Sequence, residues 1–255
     1  MRRVHLFILI LIVLPVLSSA QDFWESLEGP QGVDGMIGTS VNSFLTRGGD
    51  TIFACLEDGV ALSFDEGASW QRRSNGLHPY LISMAADSAG TMIVVSDRHG
   101  AFRSSDAGLH WHSVSEGLQL PSNPTSYYDL WDIAYNHFNS TWYIAASNGL
   151  LLTSTDSGTT WEPEIFDSLE YSYGEVEVMP SGNVIFAVPG ALRILTLTDG
   201  LWREAAVGAR HLLRAGNRIY AYHGSGLTFS DDEGMTWNAF RDGPADLSLI
   251  GLFDM

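Results

Sequence analysis

Four segments of the chain carry the same residues at the same spacing: Ser, one residue, Asp, one residue, Gly, two residues, Trp. They are Ser63, Asp65, Gly67 and Trp70; Ser104, Asp106, Gly108 and Trp111; Ser154, Asp156, Gly158 and Trp161; and Ser230, Asp232, Gly234 and Trp237. Asp106 follows Asp65 by 41 positions, Asp156 follows by a further 50 and Asp232 by a further 76. The last interval holds a degraded copy with Thr196, Thr198, Asp199, Gly200 and Trp202. Repeats of this length are supersecondary units that stack to bury a shared core. Asp and Ser side chains bond the N–H groups of their own turn, and Gly supplies positive φ. Each box is therefore expected to be a self-clamped hairpin loop whose Trp opens the next strand. A metal site is the weaker alternative, since each box offers one well-placed carboxylate.

The surroundings of the boxes repeat as well. A Gly turn precedes each: Asp58-Gly59, His99-Gly100, Asn148-Gly149, Pro189-Gly190 and Ser225-Gly226. Apolar strand-like runs precede those turns at 51–56, 92–96, 142–146, 183–188 and 218–222. Another strand and a polar turn come before these, and a short outer segment follows each Trp. Four short strands in about 40 residues predict the blade of a β-propeller. The fold class expected is all-β: a propeller with five complete four-stranded blades and part of a sixth.

The boxes resemble the Asp-box, or BNR, repeat of sialidases, sortilin-type receptors, xyloglucan-hydrolysing tandem propellers and photosystem II assembly-factor-like proteins. The resemblance covers about residues 36–240. It implies boxes on the outer rim between the third and fourth strands, and it implies a fold rather than a reaction.

The blades are expected at about 35–77, 80–118, 128–168, 173–207 and 210–243. Residues 247–253 read as a first strand of a sixth blade, and 23–29 as an outermost strand. A propeller closed from both chain ends would still lack two middle strands. The chain thus reads as a copy incomplete at its C-terminus; a small propeller that closes as it stands is the alternative.

Residues 1–20 read as a secretory leader: Arg2 and Arg3, an apolar run from Leu6 to Leu17, then Ser18-Ser19-Ala20. A retained anchor is the alternative. Residues 21–255 form the expected propeller domain, with no membrane span after cleavage. The chain has no lysine and a formal charge of −17, which becomes −19 when Arg2 and Arg3 leave with the leader. That charge disfavours nucleic acid as a partner. The lone Cys55 excludes an intrachain disulfide and reads as a buried, inert thiol.

A sialidase needs an arginine triad, a tyrosine nucleophile with its glutamate, and an aspartate acid/base. The family's Arg-Ile-Pro motif has no match near the first blade; Arg193-Ile194 is its nearest echo. Catalytic residues are unknown at this stage, and no cofactor is expected. His110 and His112 flank Trp111 without an evident third metal ligand, so no metal is expected. Ligands are expected on the upper loops, where strand two turns into strand three and where blades are linked. The link at 118–131 is richest, with Tyr127, Tyr128 and Asp129 beside Trp131. Its aromatics could equally be core. Asp97, Arg98, His99, Tyr222 and His223 are the other ligand-binding candidates, with Glu57, Asp58, His78 and Tyr80 on the same face. The reading is a secreted, monomeric, non-enzymatic propeller that binds a protein or glycan. Its alternative is a sialidase-like glycoside hydrolase whose site lies partly outside the chain.

Overall fold

The computed structural model describes residues 40–120, 123–165, 174–188, 193–205, 207–209, 211–222 and 226–240. The expected leader and the segments 23–29 and 247–253 lie outside the described residues.

Five four-stranded antiparallel sheets follow one another as propeller blades. Blade one holds β1 (Val41–Arg47), β2 (Thr51–Leu56), β3 (Gly59–Ser63) and β4 (Gln71–Arg72). Blade two holds β5 (Leu81–Ala86), β6 (Met92–Ser96), β7 (Gly100–Ser104) and β8 (His112–Ser113). A two-stranded ribbon, β9 (Gln119–Leu120) and β10 (Asn123–Tyr127), leads to blade three. That blade holds β11 (Leu130–Asn136), β12 (Thr141–Ala146), β13 (Leu150–Ser154) and β14 (Glu162–Ile165). Blade four holds β15 (Glu175–Val178), β16 (Val184–Val188), β17 (Arg193–Thr198) and β18 (Leu201–Glu204). Blade five holds β19 (His211–Ala215), β20 (Arg218–Tyr222), β21 (Leu227–Ser230) and β22 (Asn238–Ala239). The innermost strands β1, β5, β11, β15 and β19 touch in that order.

Blade stacking explains why the second strands are continuous apolar runs. A strand covered on both faces has no need of polar alternation. On β6, Met92 and Val94 pack toward blade one, with Phe53, Val60, Leu62 and Trp111. Its alternate residues, Ile93 and Val95, pack toward blade three, with Trp142, Ile144 and Trp161. Strand β12 divides in the same way: Tyr143 and Ala145 turn to blade four, against Val176 and Phe186. On β16, Ile185 and Ala187 turn to blade five, against Ile219 and Ala221. Every residue of β6, β12 and β16 is buried. Truncating one of these large side chains leaves a cavity costing about 3–5 kcal/mol.

The repeat loops join strand three to strand four of their blades. In the first, Ser63 Oγ donates to Asp65 Oδ1 at 2.8 Å and accepts from Gly67 N at 2.8 Å. Asp65 Oδ1 accepts from Ser69 N at 2.7 Å. The same bonds recur at Ser104–Asp106, Ser154–Asp156 and Ser230–Asp232. Each loop places two successive residues at positive φ: Glu66 and Gly67, Ala107 and Gly108, Ser157 and Gly158, Glu233 and Gly234. Blade four replaces this loop by Asp199-Gly200, at φ 52 and 74. Two residues at positive φ make the tight hairpin that fits strand twist, so the degraded copy needs no side-chain clamp.

The Trp of a repeat loop reaches across a seam in two blades and stays at home in two. Trp111 Nε1 donates to Arg73 O at 2.8 Å, and Trp161 Nε1 to Val114 O at 2.9 Å. Trp70 and Trp237 instead bond Gly67 O and Gly234 O of their own loops. The seam bonds depend on a second repeat after the outer strand: Ser74, Gly76 and Leu77 in blade one, Ser115, Gly117 and Leu118 in blade two. Trp111 N donates to Asn75 O at 2.9 Å and Trp161 N to Glu116 O at 3.0 Å. Gly76 and Gly117 lie against the backbone of those tryptophans at φ 91 and 90, where a Cβ would strike the Trp carbonyl.

Candidate functional site on the upper loops

One group of the expected ligand residues converges at the junction of blades one and two. The linker into β5 is stitched on both sides. Tyr80 N donates to Glu57 O at 2.6 Å, and Asp97 N to Tyr80 O at 3.1 Å. Ser96 Oγ donates to Pro79 O at 3.1 Å and accepts from His99 N at 3.3 Å. These bonds hold Tyr80 at φ 65, an uncommon conformation for a bulky residue. The result is a set of near-parallel rings. His78 and His99 have centroids 5.1 Å apart at 15°, and Tyr80 and His99 6.1 Å apart at 12°. Arg98 lies 4.7 Å from the centre of the Tyr80 ring. Tyr80 remains 38 % exposed, so part of this array faces solvent.

The array has an acidic border. Asp97 lies 3.6 Å from Arg98. Burial raises the Asp97 carboxyl above its usual range, Arg98 opposes this, and the charge of Asp129 adds to it. Asp97 Oδ1 and His99 Nδ1 are buried without a hydrogen-bond partner among the described residues. Asp58 pairs with Arg72 at 2.7 Å through Oδ2, while its Oδ1 is likewise unpartnered. Leaving buried polar atoms unpaired costs about 1–3 kcal/mol each.

The other candidates are placed differently. Tyr127 and Tyr128 are half-buried against the core between blades two and three. Asp129 is exposed, and its carbonyl accepts from Ser147 N at 2.8 Å. Tyr222 stacks on His211 in blade five at 6.4 Å, and His211 Nδ1 lies 2.7 Å from Glu175 Oε1 of blade four. His223 lies outside the described residues. Cys55 is fully buried, and burial pushes its thiol up to about 12, which removes the nucleophilic thiolate.

The innermost strands carry a polar ladder that motif reading passed over. Asn42 Nδ2 donates to Leu81 O at 2.6 Å, from blade one to blade two. Ser83 Oγ donates to Asp132 Oδ1 at 2.8 Å, from blade two to blade three. Asp132 Oδ2 accepts from Val176 N of blade four at 3.0 Å, and Glu175 Oε2 accepts from Leu212 N of blade five at 2.5 Å. Ser43, Ser83, Asp132 and Glu175 occupy one register position: each pairs with the residue of its second strand that in turn opposes Val60, Ala101, Leu151 or Ile194. The sequence signal was a polar residue recurring there in otherwise apolar runs. Burial pushes the Asp132 carboxyl up to about 7, against the pull of Val176 N. Both its oxygens serve the seams, so it holds blades together.

Among the described residues, no group of three or more His, Cys, Asp or Glu could hold a metal ion. Five arginines are each committed to a carboxylate: Arg72 to Asp58, Arg98 to Asp97, Arg193 to Glu204, Arg214 to Glu177 and Arg218 to Asp231. They are spread over blades one, two, four and five. No described helix is long and apolar enough to cross a membrane.

No protein-family model matches the chain, and no curated protein does. Solved structures do. A GH74 enzyme from Niastella koreensis superimposes with a TM-score of 0.59 at 16 % identity, over 78 % of this chain and 38 % of its own. YCF48 bound to a D1 peptide gives 0.55 at 20 %, over 79 % and 66 %. The likeness is one of fold. The extracellular domain of a putative one-component system, BT4673 from B. thetaiotaomicron, gives 0.60 at 11 %, over 75 % of this chain and 27 % of that one. The chain thus spans well under the full length of these structures, which include both an enzyme and a peptide-bound propeller.

Proposed function

We propose that the chain is a secreted propeller of the Asp-box type that binds a protein or glycan ligand without turning it over. The observation that carries this reading is the ring array of His78, Tyr80 and His99 under Arg98, bordered by Asp97. Stacked rings with a polar edge suit the apolar face of a sugar or a peptide side chain. The exposed Arg98 guanidinium would fix its orientation. The peptide-bound YCF48 and the extracellular BT4673 domain support binding and an extracytoplasmic setting as uses of this fold.

The hydrolase alternative draws support from the GH74 neighbour. Against it stands the use of Arg72, Arg98, Arg193, Arg214 and Arg218, each tied to a carboxylate within its blade or across a seam. A clamp drawn from these five would require breaking those pairs. The test is a glycan array and a peptide array probed with the protein and its Tyr80→Ala variant. Binding lost in the variant, with no product released from the bound glycan, supports the reading. Binding equal in the two proteins, or product release, overturns it.

A further inference from the structure

A second feature lies on the opposite, outer side of blade two. Arg103, Ser105, Asp106, His110, His112 and Thr159 line a cleft of about 300 Å³ at the seam with blade three. Arg103 and His112 are cross-strand partners on β7 and β8. Arg103 Nη1 donates to Ser157 O at 3.3 Å and Thr159 Oγ1 at 3.4 Å, which orients the guanidinium across the seam. Its Nε and Nη2 have no protein acceptor among the described residues.

The one carboxylate in the cleft is already consumed. Asp106 Oδ1 accepts from Ser104 Oγ at 2.8 Å and His110 N at 3.0 Å, and Oδ2 lies 2.8 Å from His110 Nδ1. What remains to donate into the cleft is a guanidinium edge, His112 and the Ser105 hydroxyl, since the Thr159 hydroxyl donates to Asp156 O at 2.9 Å and His110 Nδ1 is spent on Asp106. The repeat supplies an internal control. The positions of Arg103, His110 and His112 are held by Leu62, Ser69 and Gln71 in blade one, by Thr153, Thr160 and Glu162 in blade three, and by Phe229, Thr236 and Asn238 in blade five. Only blade two places basic groups at all three. The other three loops clamp without a basic group at the Arg103 and His112 positions, while the His110 position supplies in every loop a side chain that bonds the Asp Oδ2.

We infer that this cleft binds a tetrahedral oxyanion, as free sulfate or phosphate or as a sulfate ester on a glycan. A guanidinium fork matches two oxygens of such a group, and imidazole and hydroxyl donors take the rest. The chain is strongly acidic elsewhere, so a local donor pocket marks where an anion is tolerated.

The experiment is a titration of the full chain with sodium sulfate at constant ionic strength, read by the ring resonances of its histidines. A second arm uses a sulfated monosaccharide. Saturable shifts confined to His110 and His112 are expected, weakened about tenfold in Arg103→Gln and in His112→Gln, as for loss of one charge-assisted bond. Thermal unfolding of each variant confirms that it is folded, and the two variants back each other. Tighter binding of the sulfated sugar assigns the site to an ester; equal binding assigns it to the free anion. Non-saturating shifts, or equal affinity in folded Arg103→Gln, overturn the inference.

Discussion

Ser83 and Asp132 face each other across the seam of blades two and three, with Ser83 Oγ donating to Asp132 Oδ1 at 2.8 Å. The same carboxylate accepts the Val176 N–H of blade four. One side chain therefore spans three consecutive blades, and its charge state is coupled to the packing of those blades.

That coupling has a sign. Asp132 rises from an ordinary 3.8 to about 7 on folding. The folded state holds the proton more tightly than the unfolded chain. The associated stability is complete below about pH 4 and is lost as pH climbs through about 7. In Asp132→Asn the amide oxygen keeps the Val176 N–H and the NH2 turns to Ser83 Oγ, at the cost of the Ile133 N–H bond. Urea midpoints measured between pH 5 and 8 should fall for the wild type and stay flatter for the variant. Parallel slopes would remove Asp132 from the account.

The repeat loops act in the opposite direction. Bonds from Thr160 and Ser154 hold the Asp156 carboxyl down at about 2, and Asp65 and Asp106 are lowered by their own loops in the same way. Their contribution is present above about pH 4 and is lost as pH falls through the lowered values. Within one loop, Ser154→Ala leaves the buried Gly158 N–H without its acceptor. The expected loss is about 1–3 kcal/mol, measured by urea unfolding at pH 7.

Gly117 tests the seam between blades two and three. Gly117→Ala forces a side chain at positive φ onto the Trp161 carbonyl. A loss of at least about 1–3 kcal/mol is expected, with a matching change in tryptophan near-ultraviolet circular dichroism. A change within error would mean that the seam yields easily.

Cys55 offers a probe of opening. With its thiol buried and shifted up to about 12, it should resist an aromatic disulfide reagent in the native state and react at once in denaturant. Rapid native labelling would contradict the packing of blade one against blade two.

The repeat made the architecture legible because its period, its glycines and its apolar runs all report local geometry. The Asp199-Gly200 turn was legible as a degraded copy, although its two-residue form follows from the flanking register. The upper site was legible only by class. Asp97, Arg98 and His99 sit where a second-to-third-strand turn must lie. Their meeting with His78 and Tyr80 depends on Tyr80 adopting positive φ and on bonds to Glu57 from another blade. Tyr127 and Tyr128 pack instead on the core, since the link that carries them folds back as the β9–β10 ribbon. The Asp132 seam was hidden because a lone carboxylate in a strand does not declare its cross-blade partners.

The most direct test of the upper-face site is a titration of the protein with an array-identified ligand, following all histidine ring resonances together with product formation. The account predicts saturable shifts at His78 and His99, little change at His110 and His112, no product, and loss of binding in Tyr80→Ala. Shifts that leave His78 and His99 untouched, or cleavage of the ligand, would contradict it.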